Sequence, residues 1–279
     1  MRLPRVFMLV LLGASLALAQ NVPAMPVNPL NFLMKSLQTE AGINLKGVVQ
    51  ENVIFPPRKE PEQTKDSLPA PAPINPNLLR QNFSSSIVAG ETIAGRSTWK
   101  IVLTPNNHDA PTLTYWIDRD WHVRLAVEER DFNNTVTAQA RFTSVEGKPT
   151  PRKDGRQLGK LEFRPKLEAF LQKTVGEIIL PEGFRMFVLK TRTVGKDNLP
   201  ALELRASNGL SVLVMVFSPI KTRATPKLAT RQLIIKGSET WLWVIGNLPE
   251  AQLQRTADSI VMPLDLNALL VKFNEQNPK

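Results

Sequence analysis

Apolar and polar residues change rhythm several times along this chain, and each change marks an element. In NPLNFLMKSLQTEAG, Asn28 to Gly42, the apolar positions Leu30, Leu33, Met34 and Leu37 recur at the helical period. Asn28 can cap the first turn and Pro29 suits its first position, so the spacing predicts a short amphipathic helix that stops at Gly42. Ile43 to Phe55 is β-branched and imperfectly alternating, and reads as a strand. PPRKEPEQTKDSLPAPAPINP, Pro56 to Pro76, breaks the pattern with seven prolines, and is expected to be a loop or linker without packed structure. Asn75 to Phe83 is expected to form one or two helical turns.

From Ser84 the alternation becomes that of strands: SSSIVAGETIA, TWKIVLTP, TLTYWID, WHVRLAVEERD and TVTAQARFTSVE. Trp121, Val123, Leu125 and Val127 alternate with His122, Arg124, Ala126 and Glu128. Val136, Ala138, Ala140 and Phe142 alternate with Thr137, Gln139 and Arg141. A period of two with one apolar face predicts an antiparallel sheet, joined by tight turns at Asp118-Arg119-Asp120 and Asn133-Asn134. Gly147 to Lys160 is basic and aperiodic and is the best domain boundary. Beyond it come a short helix in RPKLEAFLQKTVG, five further strands, a closing helix over Pro249 to Ser259, and a last amphipathic helix or tail. The fold class is therefore α+β and β-rich, in two domains.

The first residues, MRLPRVFMLVLLGASLALAQ, combine Arg2 and Arg5, an apolar run and Ala17-Leu18-Ala19, the pattern of a signal peptide cleaved near residue 19. The run is shorter than the ~20 residues of a spanning helix. Export would allow disulfides, but the chain has no cysteine, so packed cores must carry its stability. The formal net charge of +10 favours anionic partners, head groups or acidic proteins. The cations are spread rather than clustered, which argues against nucleic acid.

Candidate chemistry is sparse. The two histidines, His108 in a polar turn and His122 on an exposed strand position, have no metal-ligand spacing, and no metal or other cofactor is expected. Asp118, Asp120, Glu128, Glu129 and Asp131 stand beside Arg119, Arg124 and Arg130, which suggests solvent-facing pairs rather than a catalytic dyad. No serine sits in Gly-x-Ser-x-Gly, and Gly90 to Gly95 is not followed by a helix that could bind phosphate. No catalytic residue is assigned. The aromatic signal remains: Trp99, Trp116, Trp121, Trp241 and Trp243 all lie on expected strands. Trp116 points away from Leu113, Tyr115 and Ile117, and Trp241 and Trp243 oppose Leu242 and Val244. A sheet apolar on both faces either covers both or offers one for binding. Trp99, Trp116 and Trp121 are the candidate ligand-binding residues.

The order of motifs resembles the MucB/RseB family of periplasmic regulators of envelope-stress sigma factors. The matching positions are Leu78 and Leu79, then Ala94, Gly95 and Arg96, then Leu103 and Pro105, then Trp116 and Asp118. LPEGF at Leu180 to Phe184, SNGLSVLVMVF at Ser207 to Phe217, WVIGNLP and ADSI at Ala257 to Ile260 follow in the order of that family's second domain. The resemblance implies a signal peptide (1–19), a LolA/LolB-like incomplete barrel with an apolar concavity (28–146), a linker (147–160), a smaller C-terminal domain (161–263) and a tail (264–279). It implies a non-enzymatic negative regulator that grips the periplasmic part of an anti-sigma factor and senses lipid, lipoprotein or lipopolysaccharide, with peripheral contact to the membrane. A lipid or lipoprotein carrier of LolA type, or an envelope structural protein, are the alternatives. The Pro-rich stretch stands where the family has further strands, so a shortened half-barrel is expected.

Overall fold

The computed structural model describes residues 24–54, 60–107, 110–155, 157–161, 169–170, 178–221, 231–237, 239–260 and 265–276. The signal-peptide stretch, His108 and most of the expected helix in RPKLEAFLQKTVG lie outside them. Two antiparallel sheets organise the chain.

Helix α1 (Pro29–Ala41) starts where expected: the Asn28 side chain accepts the Asn31 N–H at 2.9 Å, and Pro29 follows. It buries Leu30, Leu33, Met34 and Leu37 against the first sheet. At about 1.5–3 kcal/mol for each buried large side chain, this stripe holds the helix in place. Strands β1 (Ile43–Val53) and β2 (Glu62–Lys65) follow, then α2 (Pro76–Asn82), β3 (Phe83–Ala89), β4 (Thr98–Pro105), β5 (Thr112–Asp118), β6 (Arg124–Arg130) and β7 (Val136–Pro151). Their order is β2-β1-β7-β6-β5-β4-β3, so the sheet ends in two free edges and does not close into a barrel.

Three features depart from the sequence pattern. The Pro-rich stretch contains β2, which adds to β1 with Asn52 opposite Glu62 and Val49 opposite Lys65. EQTK is the one proline-free window there long enough for a ladder, and an edge position tolerates the prolines around it. β7 runs on to Pro151, into the expected break, paired with β1 as far as Ile43. In β6 the alternation slips: Trp116 opposes Ala126 but Ile117 opposes Arg124, which leaves Leu125 as an extra, bulged residue. Leu125 is buried on the Trp116 side, and Arg124 turns to the α1 side, opposite to the face its parity suggested.

The second sheet is made of β8 (Arg185–Val194), β9 (Leu199–Ser207), β10 (Val212–Ser218), β11 (Arg231–Lys236) and β12 (Trp241–Gly246), in the order β11-β12-β10-β9-β8. Helices α3 (Glu250–Ser259) and α4 (Leu266–Gln276) cover one face. The core there joins Leu202, Leu204, Met215, Phe217 and Leu242 to Leu253 of α3 and to Leu269 and Phe273 of α4. The last residues thus include a packed helix, the first of the two forms the pattern allowed.

Asparagines and one glycine join the two sheets. Asn75 caps α2 and donates from Nδ2 to the Leu161 carbonyl (2.8 Å), while its N–H bonds to the Gly209 carbonyl (3.0 Å). Asn82 Nδ2 reaches the carbonyls of Gly183 (2.9 Å) and Asn208 (2.8 Å). Gly209, at φ 108°, brings its backbone so close to α2 that a Cβ would lie 2.7 Å from the Leu79 nitrogen, so only glycine fits. Leu210 of the same turn inserts into the first core.

Candidate partner-binding cleft

Where the α1-covered face of the first sheet meets the β9–β10 and β12–α3 turns, the chain leaves a cavity of about 320 Å³. The register of β5 and β6 sets Leu113, Tyr115, Val127 and Glu129 on one face, because Tyr115 opposes Val127 and Leu113 opposes Glu129. Leu37 of α1 and Pro69 and Pro71 of the Pro-rich stretch form its sides, and Leu210, Val212 and Asn247 close it from the second sheet. The lining is mainly apolar, with a few polar groups held at fixed points.

Four of those polar groups are engaged: Arg124, Glu129, Asn247 and Glu51. Arg124 is buried and donates to both carboxylate oxygens of Glu40 (Nε 2.7 Å, Nη2 2.6 Å) and to the Pro69 carbonyl (2.7 Å). Burial opposes its charge, but the field and hydrogen bonds of Glu40 outweigh that and raise its pKa above the usual value. Glu129 accepts from Thr137 Oγ1 (2.7 Å) and from Asn247 Nδ2, a contact between the sheets. Burial pushes the Glu129 carboxyl up, and the bonds from Asn247 and Thr137 offset part of that rise. Burial likewise pushes the Tyr115 phenol up to about 12, so it stays neutral. Glu51 pairs with Lys65 of β2. Arg124 is also a wall of a second, more polar hollow of about 600 Å³ between the end of α1, β1 and the Pro-rich stretch.

Of the expected solvent-facing acid pairs, Glu128 pairs with Arg130 (2.7 Å) and exposed Asp120 with Arg96 (3.0 Å), but Asp118 departs from the expectation. Asp118 is fully buried and accepts the N–H groups of Asp120 (2.9 Å) and Trp121 (2.7 Å) together with the Arg96 guanidinium. Arg96 owes its raised pKa first to that hydrogen bond with Asp118. Ala94 and Gly95, both at positive φ, form the two-residue turn that delivers Arg96, with Ile93 and Arg96 exchanging hydrogen bonds at 2.9 Å. His122 is half-buried, its ring edge-on to Phe32 at 5.2 Å.

The three candidate tryptophans do not converge. Trp99 opposes Ile117 and Trp116 opposes Lys100, so neighbouring strands send them to opposite faces of the sheet. Both are about 5% exposed, and Trp121 sits in the β5–β6 turn. A cation covers each: Arg119 stands 4.0 Å from the Trp99 ring, Lys100 5.4 Å from Trp116 and Arg96 3.4 Å from Trp121. None of them lines either cavity. Of the cleft residues that sequence reasoning missed, Glu129 shares the Val127 face of β6, while Arg124 comes from a bulge and Leu210 and Asn247 from two turns, which carry no periodic signal.

Two antiparallel sheets are thus joined through one mainly apolar cleft. Residues 54–166 match the family model described as the MucB/RseB N-terminal domain. Among solved structures, the complex structure of Pseudomonas aeruginosa MucA/MucB is similar at a TM-score of 0.58 and 14% identity, covering 85% of this chain and 99% of that one. The crystal structure of MucB in complex with MucA(peri) gives 0.56 and 14%, over 85% and 98%. That of MucB gives 0.52 and 13%, over 82% and 96%. No curated protein matches. The likeness to the MucB/RseB N-terminal domain thus covers residues 54–166, and the likeness of fold to the MucB structures extends over most of the chain.

Proposed function

We propose that this protein is an exported, non-enzymatic regulator that binds the periplasmic part of an anti-sigma factor in the cleft between its two sheets. The observation that carries the reading is that the cleft is built from both sheets: Val127 and Tyr115 face Leu210 and Val212 across one apolar cavity. A segment bound there would contact both sheets at once, so its affinity would depend on how Asn82 and Gly209 hold them together. The likeness to MucB bound to MucA supports the same partner class. Domains at 28–146 and 161–263, a cleaved leader at residues 1–19 and a periplasmic location belong to this reading.

The apolar lining also favours a second ligand in the same place, an acyl chain of a lipid or lipoprotein whose arrival would compete with the protein partner. The test is a stoichiometric complex, by size-exclusion chromatography, between the purified chain and the periplasmic part of an anti-sigma factor from the same genome. Val127→Trp, which fills the cavity, should abolish it; a complex unaffected by Val127→Trp, or none with the wild type, overturns the reading. For the acyl chain, native mass spectrometry should show a lipid adduct that Val127→Trp removes, and a clean apo mass after lipid addition excludes it.

A further inference from the structure

The face of the second sheet turned away from α3 and α4 has a composition that the cleft does not explain. Its cross-strand rows are set by the register. Ile234, Trp243, Val216, Glu203 and Lys190 form one row, and Gln232, Ile245, Val214, Arg205 and Val188 form the next. In a third, Lys236 opposes Trp241 and Trp241 opposes Ser218, with Arg192 and Ala201 paired beyond. The middle is thus an apolar strip, a small second core of Val194, Ala201, Val216 and Trp243 with half-buried Val214, Ile234, Trp241 and Ile245 around it. No described helix packs on it.

Cations flank the strip on both sides. Lys190, Arg192 and Arg205 surround the buried carboxylate of Glu203, at 3.4, 2.9 and 2.6 Å, so three charges meet one. Lys221 and Lys236 stand 5.2 and 5.6 Å from the Trp241 ring and have no carboxylate partner among the described residues. Trp243 Nε1 is buried there with no hydrogen-bond acceptor among the described residues.

We propose that this face docks an acidic, amphipathic protein segment, with its apolar stripe on Val214, Trp241 and Ile245 and its carboxylates toward Lys221 and Lys236 on one side and the Arg192–Arg205 side on the other. The dimensions agree: five strands about 4.8 Å apart make a face roughly 20 Å wide, and a helix with its side chains is about 10 Å across. Charge complementarity of this kind sets orientation and speeds encounter. A bilayer suits the face less well, because every apolar side chain on it is buried or half-buried and none stands out to enter the acyl region.

The inference does not rest on the cleft, and the experiment separates the two. The probe is a labelled synthetic helix of about five turns with a leucine stripe flanked by glutamates, a counterpart with lysines in their place, and vesicles containing phosphatidylglycerol. Fluorescence anisotropy should show binding of the glutamate peptide and not of the lysine peptide. Lys221→Glu with Lys236→Glu should weaken it about tenfold or more, and Val127→Trp should leave it unchanged. The proposal is overturned if the glutamate peptide does not bind, if charge reversal has no effect, if Val127→Trp removes binding, or if the vesicles bind in place of the peptide.

Discussion

Arg124 offers the deepest test of the physical account, because a single guanidinium ties together α1, β6 and the Pro-rich stretch at the edge of the cleft. In Arg124→Met the aliphatic stem is kept and three charge-assisted hydrogen bonds are lost, two to Glu40 and one to the Pro69 carbonyl. The Glu40 side chain, 16% exposed beside the buried cation, is left without its counter-charge. Breaking a buried pair from one side costs about 3–5 kcal/mol, since the surviving charge stays desolvated. Glu40→Gln should be similarly costly, because it strands Arg124. The double variant removes both charges and should recover about 2 kcal/mol or more relative to the sum of the single losses. Urea titrations followed by tryptophan fluorescence, at unchanged slope, give these differences. The reasoning is refuted if Arg124→Met costs less than about 1 kcal/mol, or if the two losses simply add.

Other expectations follow from particular contacts. Gly209→Ala forces a Cβ against the Leu79 nitrogen at a positive φ, and should cost about 1–3 kcal/mol; hydrogen exchange should speed up across residues 75–82 and 208–211, and unaltered protection there would contradict the close approach. Burial works against the Glu203 charge, but the hydrogen bond and charge of Arg205, with Lys190 and Arg192, prevail and hold its pKa below the ordinary carboxylate range. Its stabilising effect is therefore present above the ordinary carboxyl pKa near ~4.3 and is lost as pH falls through the lower folded value. Glu203→Gln should cost about 1–3 kcal/mol at neutral pH, and this difference should shrink as the solution is acidified; a difference independent of pH would count against the ion cluster. Trp116→Ala should cost the ~3–5 kcal/mol of a lost core aromatic and leave partner affinity unchanged by calorimetry, whereas a large loss of affinity in a fully stable variant would restore Trp116 as a binding residue.

Much of the fold was legible because the governing signals are local. Asn28, Pro29 and the four apolar positions after them specify α1, and the clean alternation of TVTAQARF specifies β7. The illegible parts arise from tertiary geometry. The bulge at Leu125 reverses Arg124 toward α1, and the register of β5 against β6, not the letters of either strand, decides it. EQTK becomes a strand because β1 has an open edge beside it; its freedom from proline permits the pairing without announcing it. The tryptophans drew attention as the largest aromatics, yet their cation partners Arg96, Lys100 and Arg119 account for their surroundings. The cleft instead uses Leu210, Val212 and Asn247, ordinary residues in sequence that gain significance only when α2 and the Ser207–Leu210 turn bring the sheets together.

The central claim is that a protein partner lies across the cleft between the sheets, and site-specific photo-crosslinking tests it most directly. A photoreactive residue would be placed singly at Val127 on the first sheet, at Val212 on the second, and at exposed Val88 on the opposite face of the first sheet. With the periplasmic part of the anti-sigma factor added, Val127 and Val212 should each give a covalent adduct of the complex, and Val88 should give none. Adducts from Val88 with none from Val127 and Val212 would contradict the account.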